Sequence, residues 1–153
     1  MNETYVTLRG NATEDPRIRT TGKGEAMITL RVASTRFRYD QEQHSYAEGP
    51  TNFVTVVAYR NLARHVATSV RKGDAVIVYG ELQVDQWERD GRKGTSVEIK
   101  ATTMGHDLHR GVSSFTRASQ FEARRPPAPS VPAGSQVVDP ARAETDEYVV
   151  AGA

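Results

Sequence analysis

Asn52-Phe53-Val54-Thr55-Val56-Val57-Ala58-Tyr59 is rich in β-branched and aromatic residues, the composition of a strand whose alternate side chains face opposite ways. Val54, Val56 and Ala58 form a small aliphatic face suited to a core, and Phe53, Thr55, Val57 and Tyr59 form the other face. The two rings stand six residues apart, roughly 20 Å at about 3.3 Å per residue. That spacing suits contacts with an extended ligand, and it equally suits two rings that cover an ordinary sheet face.

Beyond Tyr59 the period changes. Asn61 reads as a helix N-cap, Leu62, Val66, Ser69 and Val70 fall near one helical face, and Arg71-Lys72-Gly73 places cations and a glycine stop at the end. Ala75 to Trp87 is then one long strand, or two bent around Gly80. After a turn from Arg89 to Gly94 the chain returns through Thr95 to Ala101, with Val97, Ile99 and Ala101 inward.

Upstream, Tyr5 to Arg9 alternates with Val6 and Leu8 inward and ends at a Gly10-Asn11 turn signal. Arg17-Ile18-Arg19 is a short extended piece. Ala26 to Ala33 forms the second main strand, with Ala26, Ile28, Leu30 and Val32 on one face, and continues towards Arg36-Phe37-Arg38-Tyr39. Polar Asp40 to Thr51 reads as a long hairpin loop. Five strands with one helix between the third and fourth make the element order of an all-β OB-fold, a five-stranded Greek-key barrel that often binds oligonucleotides or oligosaccharides. Residues 1–112 are expected to form this domain. From about Gly111 the composition shifts, and Arg125-Pro126-Pro127-Ala128-Pro129 with its neighbours predicts a disordered tail over Ser113 to Ala153.

Without cysteine there is no disulfide framework, thiolate zinc site or cysteine nucleophile, and a cytosolic protein is expected. No stretch approaches the roughly 20 apolar residues of a membrane span, and Met1-Asn2-Glu3-Thr4-Tyr5 lacks the features of a secretory signal. Net charge is +1, so affinity for a polyanion has to come from local clustering and stacking.

Gly22-Lys23-Gly24 lacks the spacing of a phosphate loop. His106 and His109 are two candidate ligands without a third, and Asp85, Glu88 and Asp90 read as a solvated hairpin. No serine sits in a nucleophile elbow. Neither a cofactor nor catalysis is expected. The aromatics Phe37, Tyr39, Phe53, Tyr59 and Trp87 occur instead among Arg31, Arg36, Arg38, Arg60, Arg71, Lys72, Arg92 and Lys93. Rings on which bases stack, with cations that follow phosphates, suit single-stranded nucleic acid better than duplex.

These residues resemble the bacterial single-stranded DNA-binding protein family. Gly10-Asn11-Ala12-Thr13-Glu14-Asp15-Pro16-Arg17-Ile18-Arg19 is similar to its GNLxxDPExR signature, and Arg71-Lys72-Gly73-Asp74-Ala75-Val76-Ile77-Val78-Tyr79-Gly80-Glu81-Leu82 to its RKGxxVxVxGxL run. Ile28 to Ala33, Asn52 to Tyr59 and Tyr59-Arg60-Asn61-Leu62-Ala63 resemble further segments, so the likeness covers roughly residues 3–109. It implies base stacking on Phe37, Phe53, Tyr59 and Trp87 and a homotetramer. Phosphate contacts are expected from Arg9, Arg31, Arg36, Arg38, Arg60, Arg71, Lys72, Arg92 and Lys93. Ala12, Arg60 and Tyr79 depart from the usual leucine, glycine and glutamate. The family's acidic Pro-Phe tip is replaced by Glu144, Asp146 and Glu147 followed by Tyr148 to Ala153, as in a tail-divergent paralogue, and its partner recruitment is not implied. An adaptor that docks proteins on the same fold is the alternative.

Overall fold

The computed structural model describes residues 1–125. Six strands and a helix run in the order β1 (Tyr5–Ala12), β2 (Arg17–Thr20), β3 (Ala26–Asp40), β4 (Ser45–Tyr59), α1 (Arg60–Ser69), β5 (Ala75–Arg89) and β6 (Arg92–His106). The sheet order is β1-β5-β6-β4-β3-β2, and β1 also pairs with β3 through Asn11 and Ala12. That last contact closes five strands into the OB-fold barrel, with β2 added beside β3. One closing pair, β4 with β6, is parallel and spans Thr55–Val57 against Glu98–Lys100.

Alternation fills the interior. Ile28, Leu30 and Val32 of β3, Val54, Val56 and Ala58 of β4, and Val76 and Val78 of β5 are buried with Ile99 of β6. Ala63 and Val66 of α1, with Val70 just after it, join the same cluster. Each such aliphatic side chain removed from water contributes on the order of 1.5–3 kcal/mol before entropy is counted.

The structure corrects several expectations. Gly10-Asn11 is no turn, because β1 runs through it to Ala12. A Cβ on Gly10 would collide with the carbonyl oxygen of Ala33, so glycine here permits the close approach of β1 to β3. Of the two readings of Ala75 to Trp87 the single long strand holds, since β5 runs through Gly80. The register with β6 shifts between Tyr79 and Gly80, leaving Thr102 of β6 without a partner, and a Cβ on Gly80 would strike the Lys100 backbone. The expected loop from Asp40 to Thr51 is mostly strand. Only residues 41–44 connect β3 to β4, and the two strands pair out to Asp40 and Ser45.

Asn61 does not cap α1; the N-cap position is Tyr59, without a side-chain bond, and Asn61 Oδ1 accepts instead from Arg64 Nη2. Helix α1 ends at Ser69, before the basic run, yet Arg71 Nη1 donates to the carbonyls of Ala67 and Val70, 2.8 and 2.9 Å away. Val97 was expected inward, but it pairs with Val84 on the β5–β6 hairpin and both are exposed.

The chain divides into two units between Ser114 and Phe115. Within the stretch read as a tail, residues 113–125 include a short helix, α2 (Ala118–Ala123), with no buried residue. The rest of that expectation lies outside the described residues. No helix among the described residues is long and apolar enough to cross a membrane.

Candidate nucleic-acid interface

The outer face of the β3–β4–β6 sheet carries rings with cations held over them. Arg31 pairs with Thr55 and Ala33 with Phe53, so Arg31 and Phe53 are diagonal neighbours on one face. The Arg31 guanidinium carbon lies 5.1 Å from the Phe53 centroid, and the ring is 53% exposed. Lys100 repeats the device. It pairs with Val57 across the parallel ladder, and its Nζ lies 5.7 Å from the centroid of Tyr59, which is half-buried. Such contacts are worth about 0.5–1 kcal/mol at exposed sites, enough to place a long side chain without fixing it.

Trp87 belongs to the β5–β6 hairpin, whose two-residue turn places Asp90 and Gly91 at φ 53 and 74, the left-handed pair of a tight hairpin turn. The indole lies against its cross-strand partner Gly94, where a Cβ would collide with the ring, and it remains 48% exposed. Gln86, Glu88, Lys93 and Thr95 complete a shallow concavity around it. Arg92 faces Arg89 at the hairpin tip.

Phe37 stands on β3 beyond an irregularity between Thr35 and Phe37, where Gly49 and Pro50 together face Arg36. The ring is 56% exposed, and exposed Arg36 and Arg38 flank it on the alternate positions. The extra residue therefore sits on β4, and Phe37 keeps the odd-numbered alternation of Arg31 and Ala33.

Arg9, Arg60 and Arg71 make intramolecular side-chain bonds. Arg9 donates from Nε and Nη2 to Asp107 Oδ2 at 2.9 and 2.8 Å, and this bond holds the Asp107 carboxyl below its ordinary range. Arg71 is engaged at the end of α1. Arg60 adopts φ 59 and its Nε donates to Glu25 Oε1 at 2.9 Å. The Lys72 backbone N–H donates to Asp15 Oδ1, and its side chain is exposed. The structure thus gathers Arg31, Phe53, Tyr59 and Lys100 on one face and Trp87 with Lys93 on a hairpin, while Arg9 and Arg71 serve intramolecular contacts.

Sequence reasoning missed two features. Lys100 was findable, since placing Ile99 and Ala101 inward turns it outward. Tyr46, in the stretch read as loop, pairs with Tyr39 edge-to-face at 5.2 Å near the tip of the long hairpin. On another face, Tyr5 stacks on Tyr79 at 5.6 Å with an interplanar angle of 18°.

The sequence model of the Single-strand binding protein family matches residues 3–107, which include every main strand of the barrel. The chain belongs to that family. It is 37% identical to single-stranded DNA-binding protein 1 of Streptomyces coelicolor over 157 aligned positions, covering 99% of this chain and all of that protein. To single-stranded DNA-binding protein 2 of Streptomyces avermitilis it is 43% identical, over 78% of this chain and 75% of the relative. The crystal structure of the small single-stranded DNA-binding protein of S. coelicolor superposes with a TM-score of 0.66 at 39% identity, covering 72% of this chain and 100% of that one. The second single-stranded DNA-binding protein of Mycobacterium smegmatis gives 0.60 at 32%, over 75% and 99%. Where the resemblance expects glycine after the β4 aromatic this chain has Arg60, and the left-handed backbone at that position explains why glycine would suit it.

Proposed function

We propose that this chain binds single-stranded DNA without sequence preference and shields it during replication, recombination or repair, catalysing no reaction. Bases stack on Phe37, Phe53, Tyr59 and Trp87, while Arg31, Arg36, Arg38, Arg92, Lys93 and Lys100 meet phosphates, with Arg60 and Lys72 at the margin. The observation that carries this reading is the pairing of rings with cations on one barrel face, Arg31 over the exposed Phe53 and Lys100 over the half-buried Tyr59. An unpaired base has a free π-face for such a ring, and stacking of this kind is worth about 1–3 kcal/mol per base whatever the base. Membership of the family supports the same ligand. The adaptor alternative draws no support from relatives that are named for single-stranded DNA.

The same reading includes a homotetramer in the cytoplasm, beside the nucleoid. From Tyr5 to Gly10, β1 is paired along one side only, to β5, so its other edge offers backbone groups to a second copy. Sedimentation equilibrium tests the assembly, and a monomer at micromolar concentration overturns it. Titration of Trp87 fluorescence with poly-dT at two salt concentrations tests the ligand. Quenching that saturates, with affinity falling as salt rises, is expected; no binding at low salt overturns the proposal.

A further inference from the structure

Downstream of the barrel, residues 113–125 hold three arginines against one glutamate, a net +2 in thirteen residues. Residues 1–112, with sixteen basic and fourteen acidic side chains, reach only the same net charge. The remaining residues, 126–153, hold one arginine against four acids. Positive charge is therefore concentrated just after the barrel. Phe115 stands at the start of this segment, 88% exposed, with Val112 fully exposed before it. Arg117 and Arg124 are exposed and carry no ion pair among the described residues, whereas Arg125 reaches Glu122 at 3.8 Å. Helix α2 has no fully buried residue, and its Phe121 is half-buried. An exposed ring two residues from an arginine without an ion pair among the described residues is the barrel-face chemistry repeated in miniature, on a segment outside the barrel's buried cluster.

We propose that Phe115, Arg117 and Arg124 form a second contact element for single-stranded nucleic acid, an inference that rests on the ligand proposed for the barrel. Its charge matches a phosphate backbone, and its ring offers a base one more stacking surface. Weak contacts suffice, because a covalent tether presents the segment to strand already held by the barrel at an effective concentration of about millimolar.

The test uses the full chain with Phe115→Ala, Arg117→Gln and Arg124→Gln combined, titrated with long poly-dT and with an oligonucleotide no longer than the barrel holds, over a salt series. On long poly-dT the variant is expected to bind about tenfold more weakly. Its log–log salt slope should be shallower by about 1.4, from two lost phosphate contacts at about 0.7 each. Affinity for the short oligonucleotide and the melting temperature should not change, and Arg117→Lys with Arg124→Lys should restore the slope. Equal affinity and slope on long poly-dT overturn the inference and leave the barrel reading standing, as does a variant whose only defect is in self-association or protein capture. A wild-type chain that binds no single strand at all overturns both.

Discussion

The indole of Trp87 rests on Gly94, and the space it occupies is the space a Cβ at position 94 would need. Gly94→Ala should therefore push the ring from its seat while leaving the buried cluster untouched, since neither residue belongs to it. Affinity for poly-dT should fall towards that of Trp87→Ala, a loss of about 1–3 kcal/mol, with the melting temperature nearly unchanged. Full affinity in Gly94→Ala, measured by fluorescence anisotropy, would remove Trp87 from the stacking set.

Phe53 and Arg31 should separate by salt dependence although they touch. Phe53→Ala is expected to weaken binding by about 1–3 kcal/mol at every salt concentration, because a ring carries no charge. Arg31→Gln should flatten the slope of log K against log salt by about 0.7. A slope unchanged in Arg31→Gln would assign that guanidinium to Phe53 alone.

Arg60 permits a clean subtraction of charge. Its φ of 59 is strained for arginine and free for glycine, so Arg60→Gly removes the cation without backbone cost. The ion pair lost with Glu25 is largely exposed and worth about 0–1 kcal/mol. Stability in urea should stay within about 1 kcal/mol of wild type, while the salt slope falls by about 0.7 if Arg60 reaches a phosphate. An unaltered slope removes Arg60 from the interface.

Asp107 sets an acid dependence. Its carboxyl is held low chiefly by the Arg9 hydrogen bond, so its charged form stabilises the fold at any pH above the ordinary carboxylate range. That contribution is lost as pH falls through the lowered value. Melting curves from neutral to strongly acidic pH should show Asp107→Asn less stable than wild type at neutrality, with the two converging in acid. A constant difference across the series would contradict the assignment.

The barrel was legible in sequence wherever one face of a strand is buried. Ile28, Leu30 and Val32, and Val54, Val56 and Ala58, alternate because water lies on one side and a core on the other. Where the hairpins leave the barrel that asymmetry ends. Ser45 to Thr51 is almost wholly exposed yet forms strand, so no period of two was there to read. Gly10-Asn11 carried a turn signal because glycine answers two needs, reversal and close approach, and here it answers the second. Of the interface, Phe53 and Trp87 were readable as aromatics on strands. The position of Lys100 over Tyr59 depends on a parallel pairing between β4 and β6, which local sequence does not encode.

That pairing also orders events during synthesis. Thr55 meets Glu98 only after α1, β5 and much of β6 have emerged, so a nascent chain leaving the ribosome can zip β3 to β4 early but cannot seal the ring until its last strand is free. Until then α1 alone can cover the aliphatic faces of β3 and β4, and the half-made barrel leaves the side that β6 will close open to water.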